Sequence, residues 1–264
     1  MDLAVGLVQA ARSGGISDNI SRVVRLVREE LRGEEPDIIV LPENWLSPRP
    51  VPFEDYAHAV EIIYDSTGYN VIGGAQYVEV GDEIRSLGVA IVDGKSSVAC
   101  EKIYPSKAVG ERGVIRRGRL AGPLSIKGWR VGCIVCVDIF YPELARSLLY
   151  AGAEVIVNPA SIPANRVGLW RAILHARAAE NTVYTVGVNL YGSRYPDGRR
   201  TGGGSSVYTP DGWLEAEAGE GVKTLVVTLV KEVIRDARSR WAFYEDFKSY
   251  YKGLYGDLYR ALRI

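Results

Sequence analysis

Apolar and polar positions alternate along this chain in blocks that switch between strand and helix periodicity. Leu3 to Ala10 is a short apolar run suited to a buried strand, and it breaks at Ser13-Gly14-Gly15. Ile20, Val23, Val24, Val27 and Leu31 then recur at helical spacing, with arginines and glutamates opposite and Ser17 or Asp18 placed to cap. Pro36-Asp37 opens a second buried strand, Ile38 to Leu41, which ends in Pro42-Glu43-Asn44. A β-α-β start of this kind implies parallel strands joined by a crossover helix.

The pattern continues with a helix around Asp55 to Tyr64. Three strands follow, Asn70 to Val78, Gly88 to Val92 and Ser97 to Ile103, with a hairpin turn at Asp93-Gly94. Lys107 to Gly122 is rich in glycine and arginine and reads as a loop carrying Glu111. The chain is organised around the next stretch. Val131 to Val137 is an apolar run that ends at Asp138, followed by a helix with Pro142 at its first position and Gly152 at its stop, then a strand from Val155. Val167 to Asn181 is a helix with Trp170, Ile173, Leu174 and Ala178 on one face, and Val183 to Asn189 is a strand. A glycine-rich loop, Tyr191 to Gly204, leads to Ser205 to Tyr208, a turn at Pro210-Asp211-Gly212, and a closing strand from Thr224 to Val230. Strands alternating with helices in both halves, with hairpins between, indicate an α/β fold of two mixed sheets packed face to face under helices.

Composition narrows the function classes. Lysine plus arginine equals aspartate plus glutamate at 32 each, which gives no electrostatic case for nucleic acid or an anionic membrane. The 264 residues contain no linker, low-complexity tract or repeat, so one domain is expected. The start MDLAVGLVQA lacks a charged leader and a cleavage site, and no apolar run approaches ~20 residues. A soluble, cytoplasmic protein is expected. The three cysteines, two histidines and single methionine offer few ways to build a metal site, and neither His58 nor His175 has a partner at ligand spacing. Cys133 and Cys136 form a CxxC, but on an extended strand they face opposite sides with Cα atoms ~10 Å apart, which argues against a redox or zinc pair. No cofactor is expected.

Four residues remain at equivalent places, each at the C-terminal end of an apolar strand or in the loop after it: Glu43, Lys102, Glu111 and Cys136. Ligand sites in α/β sheets gather at such ends. Taken singly, each has a bland reading: a solvated loop carboxylate, a surface lysine, a small buried hydrophobe. Together they suit one chemistry. A thiol nucleophile needs a base, a carboxylate serves where no histidine is placed to do so, and a cation stabilises the oxyanion. Backbone N–H groups at the helix start beside Cys136 would favour a thiolate.

With these residues in place the chain resembles the nitrilase superfamily, the carbon–nitrogen hydrolases with a Glu-Lys-Cys triad, from Leu3 to about Val230. Leu41-Pro42-Glu43 resembles the family's base motif and Glu101-Lys102-Ile103-Tyr104 its lysine motif. Cys136-Val137-Asp138 with Tyr141-Pro142-Glu143 resembles the nucleophile elbow, and Glu111, seven residues before Gly118, the second glutamate. Ala176-Arg177-Ala178-Ala179-Glu180-Asn181 and Gly203-Gly204-Ser205-Ser206 resemble later signatures. The chain departs from the pattern at Tyr104, where the family often has histidine, and at Phe140, where it commonly has arginine. Val137-Asp138 stands where nitrile-hydrolysing members usually carry tryptophan then glutamate, which places the chain on the amidase side.

The resemblance implies a four-layer αββα sandwich and hydrolysis of a small amide or ureide. It assigns Glu43 as base, Cys136 as nucleophile, Lys102 and the Val137 N–H as oxyanion donors, and Glu111 as a positioning group. Glu143, Asn158, Glu180 and Asn181 are expected to be structural. Trp45, Tyr104, Phe140, Tyr141, Ser161 and Trp170 are candidates to line the pocket, and Arg49, Arg166 and Arg194 to grip a substrate carboxylate. The resemblance also implies a dimer formed through the elbow helices. Trp241, Phe243, Tyr244, Phe247, Tyr250, Tyr251, Tyr255 and Tyr259 crowd the segment Trp241 to Ile264, which is expected at an oligomer contact. A nitrile-hydrolysing enzyme, a binding subunit that keeps the fold without turnover, and a redox or metal module are the alternatives.

Overall fold

The computed structural model describes residues 1–195 and 197–262; beyond Tyr250 it describes side chains only at Gly253, Gly256, Asp257 and Arg260. In chain order the first strands are β1 (Leu3–Gln9), β2 (Ile38–Val40), β3 (Val51–Pro52), β4 (Asn70–Ile72), β5 (Gln76–Val80), β6 (Glu83–Val92) and β7 (Lys95–Glu101). They continue with β8 (Leu124–Ile126), β9 (Trp129–Cys133), β10 (Val155–Ala160), β11 (Tyr184–Asn189), β12 (Tyr191–Arg194) and β13 (Arg200–Gly202). β14 (Ser206–Tyr208), β15 (Leu214–Glu217) and β16 (Lys223–Leu229) complete them. The helices are α1 (Ile16–Glu30), α2 (Phe53–Thr67), α3 (Pro142–Tyr150), α4 (Val167–Asn181), α5 (Lys231–Arg240) and α6 (Phe243–Leu262).

One sheet runs β16-β1-β2-β4-β6-β5-β3 with β7 also on β6, and the other runs β15-β14-β11-β10-β9-β8. The strand pleat explains the layers. Leu3, Val5, Leu7, Ile38 and Val40 point to the second sheet and share a core with Val131, Cys133, Val155 and Val157. Their neighbours Val8, Ile39 and Leu41 point the other way and pack with Val23 and Val27 of α1 and Tyr56, Val60 and Ile63 of α2. On the far side, Leu144 and Leu148 of α3 and Trp170 and Leu174 of α4 cover the second sheet. The result is the expected αββα sandwich. β1, β2 and β4 are parallel, as are β9, β10 and β11, so helical crossovers leave their C-terminal ends along one rim. β7 is antiparallel to β6, which is antiparallel to β4, and so also ends on that rim.

Two expected strands are shorter than their apolar runs. Asn70 to Val78 is split at Gly73-Gly74, where Gly73 O accepts from Trp45 Nε1 at 2.6 Å and a Cβ on Gly74 would lie 2.1 Å from Pro42 O. The chain breaks there because the loop leading to Glu43 lies against its backbone. Val131 to Val137 ends as a strand at Cys133, because Cys136 adopts φ 45° and opens a short 3₁₀ turn, Cys136–Phe140. Cys133 and Cys136 therefore do not lie on one extended strand. Cys133 sits in the core beside Cys100, and all three cysteines are free thiols. Among the described residues no group of His, Cys, Asp and Glu is placed to hold a metal, and no helix is long and apolar enough to cross a membrane.

The aromatic tail begins against its own chain. Phe247 lies under the Arg146 guanidinium, 3.6 Å from ring centroid to Cζ, and its carbonyl accepts from Tyr150 Oη at 2.5 Å, so α6 rests on α3. Trp241, Phe243 and Tyr250 stay 46, 42 and 62% exposed, and the side chains of Tyr251, Tyr255 and Tyr259 lie outside the described residues.

Candidate active site

The rim brings Glu43, Lys102, Glu111 and Cys136 together at the base of a cavity of about 640 Å³. Lys102 leaves the end of β7 fully buried, and its Nζ donates to Glu43 Oε1 and to Glu111 Oε1, both at 2.6 Å. Glu43 follows β2 by a turn whose amide donates to Ala160 O of the other sheet at 3.3 Å, so the base of the site spans both sheets. Glu111 is fixed at three points: besides Lys102 it accepts from Tyr77 Oη at 2.6 Å and from the Ser106 amide at 2.5 Å. Glycine at 110, with φ 75°, ends the short 3₁₀ turn Lys107–Val109 that aims it inward. Cys136 Sγ meets the Glu43 carboxylate and the Ser161 N–H.

A polar scaffold holds the turn that carries Cys136. Asn158 Nδ2 donates to Ile134 O at 2.6 Å and to Cys136 O at 3.2 Å, and is itself oriented by Trp170 Nε1 at 2.7 Å from Asn158 Oδ1. Arg177 of α4 donates to Ile139 O and Phe140 O, and its charge is met by Glu180 at 2.8 Å. Asp138 reaches back to the lysine-bearing segment and accepts from the amides of Ile103 and Tyr104 at 2.7 and 2.9 Å. The Cys136 turn and the segment that follows β7 are thereby tied to each other. Burial pushes the Asp138 carboxyl up to about 6, against the two amides that favour its charge.

Burial dominates the other ionisable groups too. It opposes the charge of Lys102, but Glu43 and Glu111 outweigh it and hold the ammonium well above the usual lysine range. Glu43 is raised by burial, despite the nearby Lys102 charge. Cys136 is raised well above the usual thiol range, by burial first and then by the Glu43 charge, with Lys102 and the Ser161 N–H pulling the other way. This corrects the expectation of a thiolate. A resting thiol beside a carboxylate is the form the site favours, because the low-polarity surroundings and the adjacent anion both penalise a second negative charge.

The expected pocket lining divides. Phe140, Tyr141, Ser161 and Val137 border the cavity. Trp45 does not: it is buried between the first sheet and α2, its ring N–H held by Gly73. Trp170 does not either: it is buried between α4 and the second sheet, where it orients Asn158. Tyr104 is not among the bordering residues; it stacks on Tyr141, which is, at 4.0 Å. Tryptophans near a motif looked like pocket walls, but large apolar rings with one N–H are served as well by a core position with one carbonyl partner. Of the three candidate arginines only Arg166 borders the cavity, while Arg49 and Arg194 do not.

Sequence reasoning missed Asn44, Tyr77, Tyr195 and Arg199, which also border the cavity. Tyr77 sits mid-strand, where its partner Glu111 was not legible. Asn44 directly follows Glu43 and takes φ 53°, a conformation that asparagine tolerates, and this was the one available signal. Arg12, also missed, supports Asn44 from behind with a bond from Nη1 to Asn44 O at 2.6 Å.

The model of the carbon-nitrogen hydrolase family matches residues 4–239. The chain belongs to that family. Among proteins similar to this carbon–nitrogen hydrolase is an (R)-stereoselective amidase of a Pseudomonas species, 27% identical over 92% of this chain and 91% of its own length. A carbon-nitrogen hydrolase from Helicobacter pylori superposes with a TM-score of 0.85 at 21% identity, covering 96% of this chain and 98% of the other. An amidase from Nesterenkonia sp. AN1, a member of the nitrilase superfamily, superposes with a TM-score of 0.75 at 21% identity over 90% of this chain and 97% of its own. The structure is that of a mutant of this amidase and records Michael addition of acrylamide at its active-site cysteine. The family assignment and the sandwich fold expected from the motifs both hold for this hydrolase.

Proposed function

We propose that this carbon–nitrogen hydrolase is a cysteine-dependent amidase that converts a small linear amide or ureide to a carboxylic acid through a thioester on Cys136. The observation that carries the reading is one buried ammonium, Lys102, bridging two carboxylates beside a thiol at the base of a single cavity. Glu43 takes the Cys136 proton as Sγ bonds to the carbonyl carbon, so no free thiolate has to persist. The developing oxyanion is met by Lys102 Nζ and by the Val137 N–H, which lies in the first turn after Cys136, where backbone donors lack partners within the turn. Glu43 returns its proton to the nitrogen as the C–N bond breaks and the amine or ammonia leaves. Water then gives a proton to Glu43 and adds to the thioester carbonyl. Collapse breaks the C–S bond, Sγ recovers the proton, and the acid departs. Glu111 holds Lys102, and with Tyr77 and Ser106 it fixes where the ammonium points.

The names of two similar proteins support an amide rather than a nitrile as substrate: the Pseudomonas protein is called an amidase, and so is the Nesterenkonia one. Purified protein should release ammonia from simple aliphatic amides, and rapid acid quenching should leave an acyl mass adduct on the peptide containing Cys136. Ammonia release that persists in Cys136→Ala protein would refute the reading.

A further inference from the structure

Resting on the amidase reading, we propose that the substrate carries a carboxylate at the end remote from its amide, and that Arg166, with Arg199 beside it, receives that carboxylate. Two adjoining segments form this wall of the cavity. Arg166 ends the 3₁₀ turn Ala164–Arg166, and Arg199 directly precedes β13. Pro163 pairs with Thr201, and the Gly202 amide donates to Ile162 O at 3.0 Å, so the two segments lie against each other. Both arginines border the cavity that holds Cys136.

Charge makes the arrangement selective. The acidic side chains bordering the cavity are Glu43 and Glu111, and both are taken by Lys102 at its base. Arg199 is shared with Asp197 at 2.7 Å, whereas the Arg166 guanidinium has no hydrogen-bond or ion-pair partner among the described residues. A planar fork of donors with no protein partner suits a carboxylate. The same cavity is bordered by Phe140, Tyr141, Ile162 and Pro163, apolar surface that suits a methylene spacer. At about 640 Å³ the cavity falls within the roughly 300–1,000 Å³ of sites built for ligands much larger than a simple aliphatic amide. A substrate anion is repelled by the carboxylates at the base and held at the arginine wall, which presents the amide end to Cys136.

The test compares succinamate, glutaramate and adipamate with neutral amides in which an isopropyl group replaces the carboxylate. Wild-type protein should prefer the best anionic amide over its isostere by about 10-fold or more in kcat/KM, as a charge-assisted hydrogen bond provides. Arg166→Gln should lose about 10- to 100-fold on the anionic amide, chiefly through KM, and stay within about 2-fold on the neutral one. The neutral amide thus reports folding and chemistry, and the anionic one reports the arginine. Equal wild-type rates on each pair, or an equal loss on both in Arg166→Gln, would overturn the inference while leaving the amidase reading intact. Binding of the matching dicarboxylate, measured by calorimetry on wild-type and Arg166→Gln protein, gives a readout independent of turnover. Binding that depends on Arg166 without hydrolysis of any amide would support the anion site and refute the amidase reading. Absence of both would overturn the inference as well.

Discussion

Cys136 and Cys133 lie three positions apart in sequence but in different surroundings, one facing the cavity and one in the core beside Cys100. Cys136→Ala should therefore abolish hydrolysis with the fold retained, whereas Cys133→Ala should leave turnover within about 2-fold and cost a modest packing loss of about 1–2 kcal/mol. Ammonia release and thermal melts on both proteins separate the two roles. Lys102→Met should lower kcat by about 100-fold or more, as loss of an oxyanion donor does. It should also cost about 3–5 kcal/mol of stability, because Glu43 and Glu111 are left buried without their cation. Unchanged kcat with raised KM would instead make Lys102 a partner of substrate charge. Asp138 adds a pH dependence. Its carboxyl is pushed up to about 6 in the folded protein, so the native state holds its proton over a range where the unfolded chain has released it. The stabilisation from that proton is complete below about pH 4 and is lost as pH rises through about 6, roughly 3 kcal/mol in all. Asp138→Asn cannot titrate. The stability of wild-type over Asp138→Asn protein, measured by urea denaturation, should therefore shrink by about that amount between pH 4 and pH 7. A gap that stayed constant or widened with pH would refute the assignment.

Most elements were legible because their signals are local. Pro142 and Gly152 bound α3, with Gly152 at φ 88° just past the helix, and Val167–Asn181 is the helix that its apolar face indicated. What was not legible depends on contacts distant in sequence. The split between β4 and β5 is set by Pro42, more than 30 residues upstream, and the early end of β9 by the turn that Asn158 and Arg177 hold from two later elements. Glu43, Lys102 and Cys136 were readable because each stands at the end of an apolar run, and Glu111 because it lies in the loop after one, while Tyr77 and Tyr195 had no such flag. The Gly73-Gly74 break gives an element-scale test. Gly74→Ala would set a Cβ 2.1 Å from Pro42 O at φ 74°, straining Gly74 and pushing on the loop that positions Glu43. It should cost about 2 kcal/mol or more and lower kcat together with stability. Gly81→Ala is the control, with φ 59° and nothing within 4 Å of the added methyl. It should cost about 1 kcal/mol and leave kcat unchanged.

Across the whole molecule, the tail and the Cys136 turn share one helix. α3 begins two residues after the 3₁₀ turn that carries Cys136 has reached Phe140, and its outer face takes Phe247 of α6 through Arg146 and Tyr150. Part of the aromatic tail is thus covered within its own chain, as the simplest alternative to an interface requires. The remainder is not: Trp241 and Phe243 stack on each other at 5.6 Å while still 46 and 42% exposed, and Tyr250 is 62% exposed. Exposed aromatics next to a helix already committed to packing are what an interface presents, since they bury much area at small entropic cost. A homodimer, or a larger even-numbered assembly, is therefore expected, with α6 and the neighbouring face of α3 against a partner subunit. Protein ending at Arg240 should show a lower oligomeric state by light scattering while keeping a cooperative thermal transition. Because α3 follows the Cys136 turn, the truncated protein should also lose turnover by several-fold, through a shift of that turn at the cavity. Full-length protein that remains a stable monomer at micromolar concentration would refute the interface and leave α6 as a cover for α3 alone.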